Sequence, residues 1–568
     1  MSASYLNRLP SSTAHGLATE LTRDPEPNTP FRAVTQHKHS TWARTFISRP
    51  ELYLQPESIS EVKKIVRLAA RCRRRIVVVG SGHSPSDLTC SSSWMVNLDY
   101  LKRTLNVDQE SKRVRVEAGM RLYQLNDVAA EYGLTIANLG SIDEQSIAGA
   151  IATGTHGSSM AHGTLAQSVM SLRIVLGSGE CVTASDKENS DLFHAALCSL
   201  GALGIIVEVE YQLVSDRRIE WLQTSMPLDD MLRDWSNGLW TQAEFTRIWW
   251  LPYSRRVIVW RADETNLPLR APESNWYGGL VGYHMYKALL GIAHFIPRLL
   301  PTIEWFVFGM QYGFNDDMRI SAVEQQRSGL LMNCLYSQFV NEWALPLSAG
   351  PDIIRAMDAW LHHASLPNHP SVKPAPNGLR VHCPIEVRVA DTTRGPRALM
   401  DPSCATEPTL YLNATLYRPY GLDPPCHAPY YEAFESVCSA LGGRPHWAKN
   451  FATVERGDVE RMYGTDLKKW RKVRSQSDAS GMFVGDWHRR LVMPANAEKG
   501  MACEEHMSSV RTQWDGSVDW VGTQTEVGGS GESTPRGPRS VAGSSEESFE
   551  VWGREVEESA VLVERGDS

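Results

Sequence analysis

The chain has 568 residues, 42% hydrophobic and 21% charged, with a formal net charge of -8. That is room for roughly two to four domains with sizeable cores, and the acidic balance argues against a nucleic-acid binder, whose footprint is basic. Ten cysteines without a C-x-x-C pair exclude a disulfide scaffold, a zinc ribbon and a thioredoxin-type redox motif; no apolar run approaches the ~20 residues of a plain membrane span.

Residues 1–38 are polar, Pro-bearing and without apolar periodicity. They read as a disordered lead-in, lacking the basic start and apolar core of a secretory signal. Arg8, Arg23 and the serines hint at a transit peptide, but Glu20, Asp24 and Glu26 oppose it. A helix is expected over 58–71: Ser58 and Glu61 form a capping box, Val62, Ile65, Val66 and Ala69 recur at helical spacing, and Arg71 to Arg75 suit a C-terminal dipole. Ile76 to Val79 then read as a buried strand running into GSGHSPS (80–86).

A strand feeding a glycine-rich loop suggests phosphate binding, because glycines let successive backbone N–H groups converge on an anion. A ligand-free glycine turn is the alternative if the loop stood alone. The dinucleotide fingerprint fails here: its third small position is Pro85, and strand-like WMVNLD and RVRVEAG follow instead of a helix, so Asp99 is no ribose acid. A second small-residue stretch, 139–159, carries Gly140, Ser141, Ser146, Gly149, Thr153 and Gly157. Such residues let backbone lie against a large flat ligand where a core strand would use bulk. A third, GALGIIVEV, brings Gly204 and Ile206 into an apolar strand.

From about residue 215 the pattern shifts. Strand-like segments at 248–262, 335–347, 381–390 and 409–419 alternate with helical ones at 352–364 and 431–441, which reads as a sheet with covering helices. In PIEVRV, period-2 geometry puts Glu386 and Arg388 on one face and Ile385, Val387 and Val389 on the other; a surface ion pair of little worth is the competing reading. In RPHWAKN, Lys449, taken alone, reads as a solvated side chain. His156, His162 and the sequon Asn413-Ala414-Thr415 read as structural. Segment 283–310 is aromatic and apolar but broken by Lys287, Pro297, Arg298, Pro301 and Glu304; it lies at a membrane interface or packs on the second domain. After Pro494 the composition becomes that of a low-complexity tail, 495–568, with ten acidic and four basic residues from Thr523 onward.

Taken together, GSGHSPS, SIAGAIATGTHGSS and GALGIIVEV, followed by PIEVRV, HWAKNF and FVGDWH (483–488), resemble the vanillyl-alcohol-oxidase type of FAD flavoprotein, and within it the aldonolactone oxidases. The resemblance runs from about His39 to His488. It implies an α+β fold: an FAD-binding domain of two α/β subdomains over 39–215, and a cap with an antiparallel sheet over 216–494 whose C-terminal part returns to the flavin site. It implies FAD held by Gly80, Ser81, Gly82, His83, Ser84, Gly140, Ser141, Ser146, Gly149, Thr153, Gly157, Gly204 and Ile206, with His83 covalently attached to the flavin. Gly140 would leave room for dioxygen, unless it merely suits the backbone angle. Glu386 would orient a substrate hydroxyl, Arg388 would polarise the substrate oxygen and offset negative charge, and Lys449 would be a further donor. The implied reaction is oxidation of a sugar 1,4-lactone such as D-arabinono-1,4-lactone by hydride transfer to flavin N5. Dioxygen would be reduced to hydrogen peroxide, and the product would enolise to an erythroascorbate-type enediol. Neither the resemblance nor the ligand spacing calls for a metal. Alternatives are an alditol oxidase, a cytochrome-coupled dehydrogenase, and an inactive flavin-binding protein docked on a membrane. The implied partners are the lactone and dioxygen, with no nucleic acid; the implied location is the mitochondrial outer membrane, with the cytoplasm as alternative and secretion not expected.

Overall fold

Ser58 leaves an extended segment and caps the helix Ile59–Arg71, its Oγ accepting the Glu61 N–H at 3.2 Å. The capping box is only half made: the Glu61 carboxylate accepts from the Glu57 N–H at 3.1 Å and pairs with Arg32 at 3.1 Å, so Arg32 draws it past Ser58. Val62, Ile65, Val66 and Ala69 are buried. This helix joins Leu52–Leu54 to Ile76–Val79, two strands that flank Trp94–Asn97 in parallel, with Ala33–Val34 antiparallel at one edge. The computed structural model describes residues 5–495 apart from 274–276, 278, 317, 333 and 383, together with 510–512 and 518–520. The tail expected over 495–568 therefore lies almost wholly outside the described residues.

The lead-in is not disordered over its described part. Residues Ser11–Thr22 form a helix that buries Leu17, and Lys64 donates to the carbonyls of Glu26 and Thr29 at 2.9 and 2.7 Å. Asp24 sits among Lys64, Arg67 and Arg71 at 3.5–3.9 Å. These polar anchors act beside apolar contacts from Leu17, Leu21 and Phe31, and the absence of periodicity hid both.

A second sheet is antiparallel throughout, in the order Cys181–Ser185, Val169–Val175, Ile205–Gln212, Arg113–Glu117 and Thr104–Asp108. Gly204 enters its middle strand at φ +148, with the Val175 carbonyl 2.6 Å from where a Cβ would stand. The third and largest sheet has eight antiparallel strands: Arg319–Gln325, Arg218–Pro227, Arg256–Thr265, Phe245–Leu251, Ile385–Ala390, Thr409–Tyr417, Gln338–Pro346 and Arg444–Pro445. The stretch read as one strand at 248–262 is a hairpin, turned at Pro252–Arg255, where Arg255 adopts φ 50. These folds match the expected α+β class of two α/β subdomains and an antiparallel cap.

One face of the large sheet belongs to its helices. Asn341, Ala414 and Ile385 lie in one cross-strand row, and Asn341 donates to Glu435 of the helix His427–Ala440 at 2.6 Å. The neighbouring row, Glu342, Asn413, Glu386 and Trp249, therefore points the other way, toward the glycine-bearing segments. The C-terminal part closes the structure on that side: Ile76 donates its N–H to the Met482 carbonyl at 2.9 Å and Arg75 pairs with Asp486 at 2.8 Å.

Candidate active site

Three glycine-bearing segments line one cavity. Its walls include Gly80, Ser81, Gly82, His83, Ser84, Ser146, Gly149, Thr153, Gly204 and Ile206, all expected from the sequence, and also Leu200, Phe483 and His488. The loops touch closely: a Cβ on Gly80 would stand 2.2 Å from Ser146 Oγ. Gly82 turns at φ +70, where a side chain is strained.

No Asp, Glu, Lys or Arg lines this cavity among the described residues. Its two histidines are neutral. Burial, with Arg121 and Lys449 nearby, lowers His83 to about 3; burial lowers His488 to about 4, and its ring is fixed between the Gly485 N–H at 3.1 Å and the Leu200 carbonyl at 2.8 Å. His83 lies against Trp42, ring centroids 5.7 Å apart, and its Nδ1 is buried without a partner. A long, neutral cavity of small polar groups and apolar walls, with one orphaned ring nitrogen, fits a flavin dinucleotide held by backbone and hydroxyl groups.

Three expected cofactor residues lie off this wall. Gly157 is a packing position, since its Cβ would meet Asn138 Oδ1 at 1.9 Å. Gly140 is not among the described positive-φ glycines, so no backbone angle demands it; a Cβ there would meet the His156 carbonyl and Thr155 Cγ2 at 3.4 Å. Ser141 belongs to the charged site, accepting from Arg388 at 2.7 Å.

That charged site is the free face of the large sheet. Arg388 and Glu386 are buried and ion-paired. Burial disfavours the Arg388 charge, but Glu386 beside it outweighs the penalty and raises its pKa. Glu386 Oε1 and Arg388 Nε are buried without hydrogen-bond partners, the condition of groups that await a polar ligand. Arg247, opposite Arg388 in the register, donates to the Leu330 carbonyl at 2.8 Å; burial and Arg388 bring it down to about 9, still cationic at neutral pH.

Beyond Asn413 stands Glu342, a residue the sequence reading did not single out. His156 Nε2 meets its carboxylate at 2.7 Å, Lys449 Nζ lies at 3.8 Å and His446 Nε2 at 4.0 Å. Burial would raise the Glu342 pKa, but Lys449 and His156 hold it well below the usual carboxylate range. His156 Nδ1 faces the Gly157 carbonyl at 2.9 Å. Both ring nitrogens thus face acceptors, and the ring stacks on Tyr411 with centroids 3.4 Å apart. His446 takes the Ala448 N–H on Nδ1 and donates from Nε2 to the Gly154 carbonyl, each at 3.2 Å; burial lowers it to about 3. His156, Glu342 and His446 bring ligand-type atoms within 4.8 Å of one another, but every ring nitrogen is already engaged, so the trio forms a hydrogen-bonded charge cluster and offers no imidazole lone pair to a metal.

His156 and Asn413, read as structural, thus lie within the site: Asn413 Nδ2 is 3.4 Å from Glu386. His162 does not; it pairs with Glu244 at 2.7 Å. Trp447 is buried and donates to the Met400 carbonyl at 2.6 Å. The two regions adjoin, because Asn450 donates to the Pro85 carbonyl at 2.9 Å, tying the Lys449 turn to the His83 loop.

A family profile described as D-arabinono-1,4-lactone oxidase matches residues 209–491, and one described as FAD binding domain matches residues 50–185. A protein of Neurospora crassa is 46% identical over 535 residues, covering 89% of this chain and 96% of its own. The D-arabinono-1,4-lactone oxidase of Yarrowia lipolytica is 40% identical, covering 79% and 95%, and that of Saccharomyces cerevisiae 36% identical, covering 80% and 96%. Among solved structures, cholesterol oxidase from B. sterolicum superposes with a TM-score of 0.67 at 15% identity, over 83% of this chain and 99% of its own, a likeness of fold.

Proposed function

The chain belongs to the D-arabinono-1,4-lactone oxidase family, and from that premise we propose that it oxidises D-arabinono-1,4-lactone or a close sugar lactone with FAD bound in the neutral cavity. We read 39–215 as the FAD-binding domain and 216–494 as the substrate domain. The observation that carries the proposal is the pair of orphaned groups, Glu386 Oε1 and Arg388 Nε, on a face joined to that cavity. When bound, FAD supplies the hydride acceptor. The chain's own residues do the rest. Glu386 accepts from a lactone hydroxyl, and Arg388 and Lys449 donate to its oxygens. Arg247, Arg388 and Lys449 against Glu386 and Glu342 leave one positive charge in excess, which favours the negative charge that develops as a hydroxyl loses its proton in a water-poor site. The test is anaerobic bleaching of the flavin band: D-arabinono-1,4-lactone should bleach it and xylitol should not, and the reverse order would make the enzyme an alditol oxidase.

Three finer readings accompany this one. Dioxygen is the acceptor and hydrogen peroxide the product, supported by a Gly140 that no backbone angle requires. The flavin is covalently attached to His83, supported by its neutral ring and partnerless Nδ1; acid precipitation should carry flavin down with the wild type and not with His83→Ala. The protein docks on a membrane surface, at the mitochondrial outer membrane by family resemblance, through the helices Leu280–Phe295 and Leu300–Tyr312. They expose Phe295 at 77% and Trp305 at 55%, while no described helix is long and apolar enough to cross a membrane. Flotation with vesicles should be lost in Phe295→Asp/Trp305→Asp.

A further inference from the structure

Glu342 is not part of the cavity wall, yet three elements converge on it. Its own strand, Gln338–Pro346, sets it on the charged face at 2% exposure. The small-residue segment brings His156, and the turn after Arg444–Pro445 brings His446 and Lys449; Arg388 and Tyr411 face it from the sheet. A buried carboxylate with one partner would be costly to keep. Here His156 takes one oxygen and Lys449 lies nearest the other, so each carboxylate oxygen has its own partner. His156 is itself pinned by the Gly157 carbonyl and by the face of Tyr411. Glu342 is therefore the fixed end of the arrangement. Lys449, with 24% of its side chain exposed, is the end that could wander on a flexible stem.

We propose that Glu342 is a positioning residue, a buried anion that anchors the Lys449 ammonium beside the bound lactone while His156 locks the carboxylate. The role assigned to Lys449 rests on the function proposed above; the anchoring itself does not. Without the anchor the ammonium samples many rotamers, and misplacement of a positioned group by about 1 Å can cost on the order of 100-fold in rate.

The experiment is a double-mutant cycle in the flavin-loaded enzyme with Glu342→Gln, Lys449→Met and the pair. Glu342→Gln keeps the shape and an acceptor for His156 and removes the charge. Each single change should slow anaerobic flavin reduction by about 10- to 100-fold, and Glu342→Gln should cost nothing further in the Lys449→Met background. An equal cost in both backgrounds would overturn the proposal. A readout independent of turnover is acylation of Lys449 by an amine-selective reagent, followed by peptide mass spectrometry. Its labelling should rise roughly fivefold in Glu342→Gln while other lysines stay unchanged; unchanged Lys449 labelling would also overturn it. Should Glu342→Gln fail to hold flavin, Glu342→Asp retains the charge for His156 but shortens the reach to Lys449, and the same rise in labelling is expected. If no lactone reduces the wild-type flavin, the substrate reading falls and the labelling contrast still decides whether Glu342 anchors Lys449.

Discussion

The neutral cavity and the charged sheet face adjoin, yet they are built by opposite means. The cavity comes from short stretches of chain in which small residues stand together, and it works through backbone and hydroxyl groups with no charged residue on its described wall. The face comes from strand register: its charges sit on Phe245–Leu251, Ile385–Ala390 and Gln338–Pro346, with His156 meeting Glu342 across 186 positions and Arg388 meeting Ser141 across 247. A site for a large invariant cofactor can be written locally. A site that must place charge within ångströms of a reacting bond is assembled by tertiary structure, where each charge is held by another.

If the two regions divide the labour in this way, damage to one should leave the other's property intact. The largest effect is expected at Arg388. Arg388→Met should keep its flavin, since Arg388 is not on the cavity wall, but flavin reduction by lactone should slow by about 100- to 1,000-fold. Stopped-flow reduction and the flavin-to-protein absorbance ratio check both halves; a variant purified without flavin would break the comparison. The reciprocal change is Gly80→Ala. Its Cβ would press on Ser146 Oγ at 2.2 Å, an overpacking worth about 1–3 kcal/mol. Flavin retention and melting temperature should fall, and adding Ser146→Ala should restore most of both, because it removes the 2.2 Å clash and leaves only the Ser146 Cβ contact at 3.0 Å. Failure of the second change to rescue would mean that the loop backbone itself has shifted.

The same contrast explains what was legible in the sequence. The glycine loops were read residue by residue, because small residues in a row serve few structural purposes besides close approach. Gly157 packs against Asn138, a use of glycine that the same small-residue pattern cannot tell from cofactor contact. Glu386 and Arg388 were legible because period 2 puts neighbours in the sequence on one face. Glu342, Tyr411 and Arg247 were not, for their meaning lies in cross-strand pairing that no local pattern encodes. A faint signal existed at Glu342, the one charged residue in a mostly apolar strand, Gln338–Pro346. Asn413 was hidden by its sequon, and the helix Ser11–Thr22 by anchors that are polar and distant in sequence.

Gly140 stands between the two regions, and its substitution should be milder. A Cβ there makes ordinary contacts at 3.4 Å, so Gly140→Ala should fold with a stability change within about 0.5 kcal/mol and be reduced by lactone at the wild-type rate. Only the second half of the cycle should change, with peroxide formation falling and turnover with cytochrome c rising. Unchanged peroxide formation would remove Gly140 from the oxygen path.

The smallest effect sharpens the comparison with a buried carboxylate outside both regions. Glu342 has Lys449 and His156 on two sides, which hold its pKa well below the usual carboxylate range. Glu304, in the helix Leu300–Tyr312, has instead the Ser254 N–H at 2.7 Å and hydroxyl at 3.0 Å, and burial, outweighing these bonds, pushes it up to about 7. The folded state therefore holds this proton more tightly than the unfolded chain, where a glutamate titrates near 4.3. Stability from this group is fully present below about pH 4 and is lost as the pH climbs from there through 7, the unfolded state releasing its proton first. Between pH 6 and pH 8 the loss amounts to about 1.4 kcal/mol, or about 1–2 °C in melting temperature for a chain of this size. Glu304→Gln carries no titrating proton, so the difference between its melting temperature and that of the wild type should change by that amount from pH 6 to pH 8. A difference that stays constant would mean that Glu304 is ionised in the folded protein, and that a cation serves it as Lys449 serves Glu342.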